Sequence, residues 1–201
     1  MDEKSKLIPN KIKQWCEGAI KELEDDNRCL WNAYSNIEYF ELDDSIESKA
    51  FDAMKNQIAN FYSAINFLRT ANDLDIEDYR ALKDMVGDEE LDGKVLLEQL
   101  EIAKKELATS SDLVDNYKNM LSGLNENEES YETALEMVTM YEQMSEINEE
   151  TVKEIQAKID LYDDIDEKSS KLFQNGENIR KLGIMTIEEI MLSSYSPGKY
   201  S

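Results

Sequence analysis

Histidine is absent from this chain, and so are glycine-rich loops and Cys-x-x-Cys pairs. Without histidine the sequence lacks the commonest general base, the commonest metal ligand and every Ser-His or Cys-His arrangement for nucleophilic catalysis. Without a glycine-rich loop it lacks the usual backbone cradle for a phosphate group. The sequence therefore predicts a protein that is not an enzyme and that uses no cofactor and no metal.

Basic residues are also scarce, because 22 Lys and Arg stand against 45 Asp and Glu, for a formal net charge of −23. Nucleic acid and anionic membrane surfaces should be repelled, since binding either requires clustered cations. No apolar run approaches the roughly 20 residues that span a bilayer, and residues 1–6 lack the apolar core of a signal peptide. We expect no direct membrane insertion and, if the protein is exported, no ordinary cleaved leader.

Only two cysteines occur, Cys16 and Cys29. On one helix they would lie about 20 Å apart, whereas a disulfide needs Cα atoms within roughly 7 Å. We therefore expect no internal disulfide bridge. Both residues stand among apolar positions, and we expect both to be small buried side chains.

Proline is limited to Pro9 and Pro197, and glycine to seven positions, which argues for long helices rather than a sheet with turns. The large apolar residues from residue 51 onward recur in steps of three and four, which keeps them on one helix stripe. They are Phe51, Met54, Ile58, Phe61, Ile65 and Leu68. The sequence predicts an all-α fold, an elongated bundle or stack of long antiparallel helical hairpins.

The same spacing sets the expected element bounds. We predict helices over about 9–37, 45–70, 76–86, 90–121, 128–146 and 148–173, with a short helix opening at Thr186. Asp44 or Ser45 is expected to cap the second helix, and Gly87 to end the third. Residues 1–192 are predicted to form one helical domain, and residues 193–201 a flexible tail or the start of a linker.

Two other patterns leave alternatives open. Asp73-x-Asp75-x-Glu77-Asp78 loosely matches a calcium loop but lacks the glycine at its sixth position, so a solvated acidic face is the simpler interpretation. Met137, Met140 and Met144 share one helix face. They form either core or an adaptable docking surface for another helix.

The segment Lys49–Lys55, which reads Lys-Ala-Phe-Asp-Ala-Met-Lys, resembles the helix of type Lys-Ala-Tyr-Asp-Ala-x-Lys in the LXG domain of Gram-positive type VII secretion toxins. That helix follows a Leu-x-Gly motif, and here Ile46-Glu47-Ser48 stands in its place. Leu91-Asp92-Gly93 has the right letters but lies too late in the chain. The matching positions are Ile46, Glu47, Ser48, Lys49, Ala50, Phe51 and Asp52.

The end of the chain is similar as well, because residues 159–173 follow the family's closing pattern of an aliphatic-aromatic pair, a short acidic stretch and a phenylalanine. The resemblance implies a non-catalytic targeting domain that binds small α-helical partner proteins, hairpins of the WXG type. It also implies recognition by the secretion ATPase and export through the type VII system in interbacterial competition or virulence. A toxin domain would normally follow, and none is visible; the chain is either cut or a stand-alone relative.

Long amphipathic helices in a narrow bundle leave part of their apolar stripes exposed to solvent. The residue pattern therefore favours partner binding independently of the family resemblance. We predict that the first two helices supply the docking face, with Phe67 beside the main stripe and dependent on a partner for its burial. The candidate partner-binding residues are Trp15, Trp31, Phe51, Met54, Ile58, Phe61 and Phe67.

Two other functions fit the same sequence. One is an acidic immunity protein or antitoxin whose carboxylates cap a basic target, and its complex should weaken steeply with salt. The other is a coiled-coil scaffold or homodimer, which would self-associate when purified.

Overall fold

The structure is a computed structural model that describes residues 1–125 and 129–193. Within that part the chain forms six helices and two short strands. They are β1 (Lys6–Leu7), α1 (Pro9–Glu41), α2 (Lys49–Ala59), α3 (Phe61–Met85), β2 (Leu91–Asp92), α4 (Gly93–Leu121), α5 (Glu129–Ser169) and α6 (Gln174–Ser193). The all-α prediction is confirmed. The tail predicted for 193–201 lies outside the described residues, apart from Ser193 at the end of α6.

The chain divides into two compact units. The first unit consists of Met1–Ile8 and Glu89–Glu167, and the second of Pro9–Asp88 and the chain from Lys168 onward. Each unit is therefore built from two separate stretches of sequence. The single domain predicted over 1–192 stays a prediction.

The first unit is a helical hairpin in which α4 and α5 run antiparallel. Tyr117 stacks on Tyr141 with ring centroids 5.6 Å apart, and Asn148 donates a hydrogen bond to Ser110 Oγ at 3.2 Å. The buried residues of α4 recur in steps of three and four, as in a coiled-coil seam. They include Leu96, Leu100, Ala103, Ser110 and Val114.

The start of α4 is fixed by a short β-pairing. Leu7 pairs with Leu91, which is 1% exposed, and the Asp92 carboxylate accepts from the backbone N–H of Val95 at 3.3 Å as an N-cap. The Gly93 N–H donates to the Ser5 carbonyl at 2.8 Å, and a Cβ at Gly93 would overlap the Asp2 carbonyl. Leu91-Asp92-Gly93, which lies too late in the chain to match the family motif, therefore has a structural role at the start of α4.

In the second unit α3 packs between α1 and α6. Lys13 pairs with Asp88 at 2.6 Å near one end, and Tyr34 contacts Tyr62 at the other, so α1 and α3 run antiparallel. Gly183 of α6 lets that helix approach α3 closely, because a Cβ there would lie 3.1 to 3.2 Å from Leu68 and Phe67.

Side-chain hydrogen bonds also cross the three helices. Arg180 of α6 donates to Asn72 Oδ1 at 3.0 Å and to Asp75 Oδ2 at 2.6 Å. Asn72 in turn donates to Asn27 of α1 at 3.1 Å, and Asn27 donates to Asp73 at 2.7 Å. Asn72 and Asp75 are buried, so these bonds satisfy polar groups inside the unit and fix the helix register.

Several predicted bounds in the first half of the chain were wrong. The first helix continues to Glu41, and the second begins at Lys49 with Ser48 as its cap rather than Asp44 or Ser45. The next break falls at Asn60 rather than at residues 72–75. Asn72 and Asp75 look like helix breakers in sequence, but their side chains bind partners on other helices while the backbone stays helical.

The second half shows the same kind of error. Asn148 does not start a helix, because α5 runs through it and its amide faces Ser110. Thr186 does not open a helix either, since α6 runs through it and its hydroxyl donates to the Leu182 carbonyl at 2.8 Å. The prediction at Gly87 was right, because its φ of 59° ends the preceding helix in the left-handed region.

Candidate functional site

An aromatic stack links α1 and α3 in the second unit. The Trp31 and Tyr34 rings lie 5.5 Å apart and nearly parallel, and the Arg69 guanidinium sits 4.8 Å from the Trp31 centroid. Tyr34 also contacts Tyr62 at 4.5 Å. Positions 31 and 34 share one face of α1, which is why both rings reach α3. The cation and the stacked ring hold Trp31 in one orientation.

Tyr62 anchors the end of this stack. Its hydroxyl donates a hydrogen bond to Glu41 Oε2 at 2.8 Å. Burial, and then the bond to Glu41, raise the pKa of Tyr62 to about 12. The phenol therefore stays protonated across the physiological range, and the bond fixes the last turn of α1 on α3.

The position that resembles the family motif forms the start of α2. Ser48 has extended backbone (φ −155°), and its hydroxyl accepts from the Phe51 N–H at 3.1 Å. Any residue adopts that backbone, so the conformation at this position needs no glycine. Serine supplies the N-cap that glycine lacks, and Asp52 lies in the first turn, where a carboxylate suits the helix dipole.

Phe51 holds the beginning of α2 against α1. Its ring meets Phe40 edge-on at 5.2 Å, and Lys55 Nζ lies 5.2 Å from its centroid. The same ammonium donates to the Asp43 carbonyl and pairs with Asp44 at 3.6 Å. Phe51 and Lys55 thus fix the linker between the two helices.

The end of α1, the linker and α2 also expose several large apolar side chains. We call them the motif surface: Trp31, Tyr39, Leu42, Ile46 and Met54, each with 43% to 74% of its surface exposed. Trp31 and Leu42 lie eleven residues apart, which is about three helical turns and places them on one side of the end of α1. Sequence analysis missed Tyr39 and Leu42, although this spacing could have indicated them.

The remaining predicted partner-binding residues lie outside the motif surface. Trp15 lies sixteen residues before Trp31, about 24 Å along α1, and meets Tyr79 edge-on at 5.2 Å. Ile58 and Phe61 are half-buried on either side of Asn60. Phe67 is half-buried and lies beside Gly183, so α6 of the same chain supplies part of the cover that was predicted to come from a partner.

The Trp15 contact belongs to a second aromatic group with Tyr79 and Phe173, whose rings are 4.5 Å apart. Phe173 has a φ of 67°, which is strained for a bulky side chain, and its N–H donates to Asp78 Oδ2 at 2.6 Å. Cys16 lies buried near this group, and burial raises the pKa of its thiol. Cys29 is exposed, contrary to the prediction, and both thiols are free.

The acidic stretch at 73–78 is not a calcium loop, and only part of it is a solvated face, because Asp73 and Glu77 are exposed and Asp75 and Asp78 are not. It lies within α3, where Asp75 is buried against Arg180 and Asp78 binds the Phe173 backbone. Over the described ranges, no group of three or more Asp, Glu, Cys or His side chains is arranged to hold a metal ion. An open cleft of about 400 Å³ next to this stretch is lined by charged groups that include Glu24, Glu77 and Arg80, and Arg80 pairs with Glu24 at 3.6 Å.

The chain matches no protein-family model, no curated protein and no solved structure. The resemblance to LXG domains therefore stays a prediction from the residues quoted above. Among the helices of the described part, none is long and apolar enough to cross a membrane.

Proposed function

We propose that this protein is a non-catalytic targeting domain of the LXG kind, which uses the motif surface to bind a small α-helical partner protein. The observation that carries the proposal is the exposure of Trp31, Tyr39, Leu42, Ile46 and Met54 around the helix that carries the family-like sequence. Exposed apolar side chains that follow one another in this way are typical of interaction sites.

The geometry favours a helix as the bound element. Trp31 contacts both Arg69 and Tyr34, so little side-chain freedom is lost when a partner covers it. Ordered aromatic anchors of this type usually contribute most of the binding energy of an interface. An amphipathic helix with residues at positions i, i+3 and i+7 would match the row along the end of α1.

The remainder of the proposal follows from the resemblance. The complex of this protein with its partner would be recognised by the secretion ATPase, and the protein would be made in the cytoplasm and secreted through the type VII system without a cleaved signal peptide. The acidic charge supports a role that does not involve nucleic acid.

The test is export from the native host with and without the type VII ATPase. We expect the full chain in the culture medium only when the ATPase is present. The double variant Leu42→Glu/Ile46→Glu should stay in the cells, because two carboxylates would have to be buried against the partner. The matched control is Met185→Glu/Leu192→Glu on α6, which changes two exposed apolar residues outside the motif surface and should be exported normally.

Export that does not depend on the ATPase would overturn the proposal. Equal retention of both double variants would overturn the assignment to the motif surface. Circular dichroism of each purified variant checks that helicity is kept, so that retention is not a consequence of unfolding.

The net charge of −23 favours a second candidate, an acidic protein that caps a basic target. The two functions differ in salt dependence. A complex held by carboxylates should weaken steeply between about 50 mM and 300 mM salt, whereas one held by the motif surface should change little. The heptad pattern of α4 is covered within the chain by α5, so it gives a coiled-coil scaffold no separate support.

A further inference from the structure

The α4–α5 hairpin in the first unit carries a second set of exposed apolar residues. On α5 these are Met140, Met144 and Ile147, which follow one another in steps of four and three and are 42% to 62% exposed. That spacing places them on one stripe of the helix. They stand apart from the seam with α4, which uses Ala134, Val138 and Ile159.

Helix α4 has a matching stripe. Ile102 and Met120 are exposed and Leu113 is half-buried. The steps of eleven and seven residues keep the three on one face, about 27 Å long. This face also differs from the seam residues Leu100, Ala103 and Val114.

A groove shows that the two stripes share one flank of the hairpin. Thr109 and Leu113 of α4 and Met144 and Asn148 of α5 line an open cavity of about 410 Å³. Its floor includes Ser110, which is hydrogen-bonded to Asn148. The flank therefore consists of two apolar ridges with a groove between them, a shape that accepts the ridge of a further helix.

The charge around the groove indicates which kind of helix could bind there. Glu106 lies in the α4 stripe, Glu136 lies four residues before Met140, and Glu154 lies seven after Ile147. None of these three carboxylates makes an ion pair within residues 1–125 and 129–193. Lys105, the cation beside the groove, is already paired with Glu101 at 2.6 Å. A second copy would bring the same carboxylates together, whereas a basic partner would neutralise them.

We infer that this flank docks one amphipathic helix of a partner protein whose apolar stripe is bordered by Lys and Arg. The partner would lie along the groove with its apolar residues on Leu113, Met144 and Ile147, and its basic residues would reach Glu106, Glu136 and Glu154. The inference goes beyond the proposed function, since it concerns a surface of the other unit and names the partner's charge.

The probe is a synthetic helical peptide of roughly three heptads with Leu at positions a and d and Lys at e and g, titrated into the full chain by fluorescence anisotropy. A second peptide has the same apolar residues with Glu in place of Lys. We expect the basic peptide to bind at least about tenfold more tightly, with an advantage that shrinks as salt is added.

Two single variants on α5 locate the site. Met144→Glu should weaken binding of the basic peptide about tenfold, because the carboxylate would face the apolar stripe of the peptide. Leu135→Glu is the matched control: its side chain is 48% exposed against 45% for Met144, and nine residues along a helix place it on the opposite side.

Equal affinity for the two peptides would overturn the inferred charge of the partner. An equal effect of Met144→Glu and Leu135→Glu would overturn the site. A dimer of the free chain that Met144→Glu dissociates would also overturn it, since the occupant would then be a second copy. The variants Leu42→Glu and Ile46→Glu should bind the basic peptide normally, so failure here and failure of the proposed function can be told apart.

Discussion

The pair formed by Arg180 and Asp75 shows how single residues organise the second unit. The Asp75 side chain is 10% exposed, and its Oδ2 lies 2.6 Å from the Arg180 guanidinium. Its other oxygen, Oδ1, has no hydrogen-bond partner among the described residues and lies against Gly176 of α6. The carboxylate is therefore tolerated inside the unit only because one cation faces it.

We predict that Arg180→Met lowers the free energy of unfolding by about 2–4 kcal/mol, because it leaves a buried carboxylate without its partner. Urea denaturation followed by circular dichroism measures the change. The double variant Asp75→Asn/Arg180→Met should lose less than the single variant, since the uncompensated charge is gone. An Arg180→Met protein as stable as the parent would show that the pair contributes nothing.

Glycine positions give a second prediction at the residue scale. A Cβ at Gly93 would overlap the Asp2 carbonyl, and one at Gly176 would overlap the Asp75 carboxylate, whereas Gly18 has open space around it. Gly93→Ala and Gly176→Ala should therefore destabilise the protein, because the neighbouring segment must move. Gly18→Ala should stabilise it by about 0.5–1 kcal/mol, the ordinary gain from replacing glycine within a helix.

Thermal unfolding of the three alanine variants under one condition tests this ordering. The result that would contradict it is a Gly93→Ala or Gly176→Ala protein that gains as much stability as Gly18→Ala. Such an outcome would mean that the close approaches at β1 or between α3 and α6 are absent in solution.

At the scale of helices and strands, the helical class could be predicted from the sequence, but the positions of several helix breaks could not. Apolar spacing identified the helical class, because burial of a face depends on that period. It placed the residues from Phe51 to Leu68 on one helix, whereas the structure divides that segment at Asn60 into α2 and α3. It misplaced breaks at Asn72, Asp75 and Asn148, whose side chains look like local caps. These side chains bind groups more than thirty residues away, and no local pattern encodes such pairing.

The candidate site, too, could be predicted only in part from the sequence. The stretch around Phe51 and the exposure of Trp31 and Met54 were accessible from sequence. The role of Arg69 beneath Trp31 and the cover that α6 gives Phe67 depend on which helices pack together, and this is set by tertiary contacts.

Helix α2 differs from the other helices of its unit, because none of its eleven residues is buried. We predict that the amide hydrogens of α2 exchange through local opening. The free energy of this opening should be at least about 1–2 kcal/mol lower than the free energy of opening of α3. Hydrogen–deuterium exchange read out by mass spectrometry resolves the two segments. Equal protection of α2 and the α3 core around Ala64 and Ala71 would contradict this. Binding of a partner at the motif surface should slow exchange in α2 and at the end of α1, which together carry that surface.

At the scale of the whole molecule, the net charge of −23 dominates the electrostatics. The Glu17–Lys83 ion pair joins α1 to α3, and the Lys13–Asp88 pair joins α1 to the segment that follows α3. The lysines hold the pKa of Glu17 and of Asp88 below their usual values. These pairs are solvent-exposed and contribute little. The unpaired carboxylates repel one another in the folded chain, so repulsion should outweigh the pairs.

We therefore predict that adding salt stabilises the protein. The urea midpoint at neutral pH should rise between about 20 mM and 300 mM sodium chloride, because screening acts over roughly 10 Å and relieves repulsion among many carboxylates. Urea is the denaturant of choice here, since guanidinium is itself a salt. A midpoint that falls with salt would mean that the specific ion pairs matter more than the overall charge.

The alternation of the two units along the chain has a consequence for biosynthesis. Helix α3 packs on α6, whose residues follow Phe173, and the strand at Lys6–Leu7 pairs with Leu91–Asp92. A ribosome releases the first partner of each pair long before the second. The face of α3 that α6 covers therefore stays exposed until α6, which ends at Ser193, has been synthesised, and apolar surface exposed in this interval favours aggregation of the nascent chain.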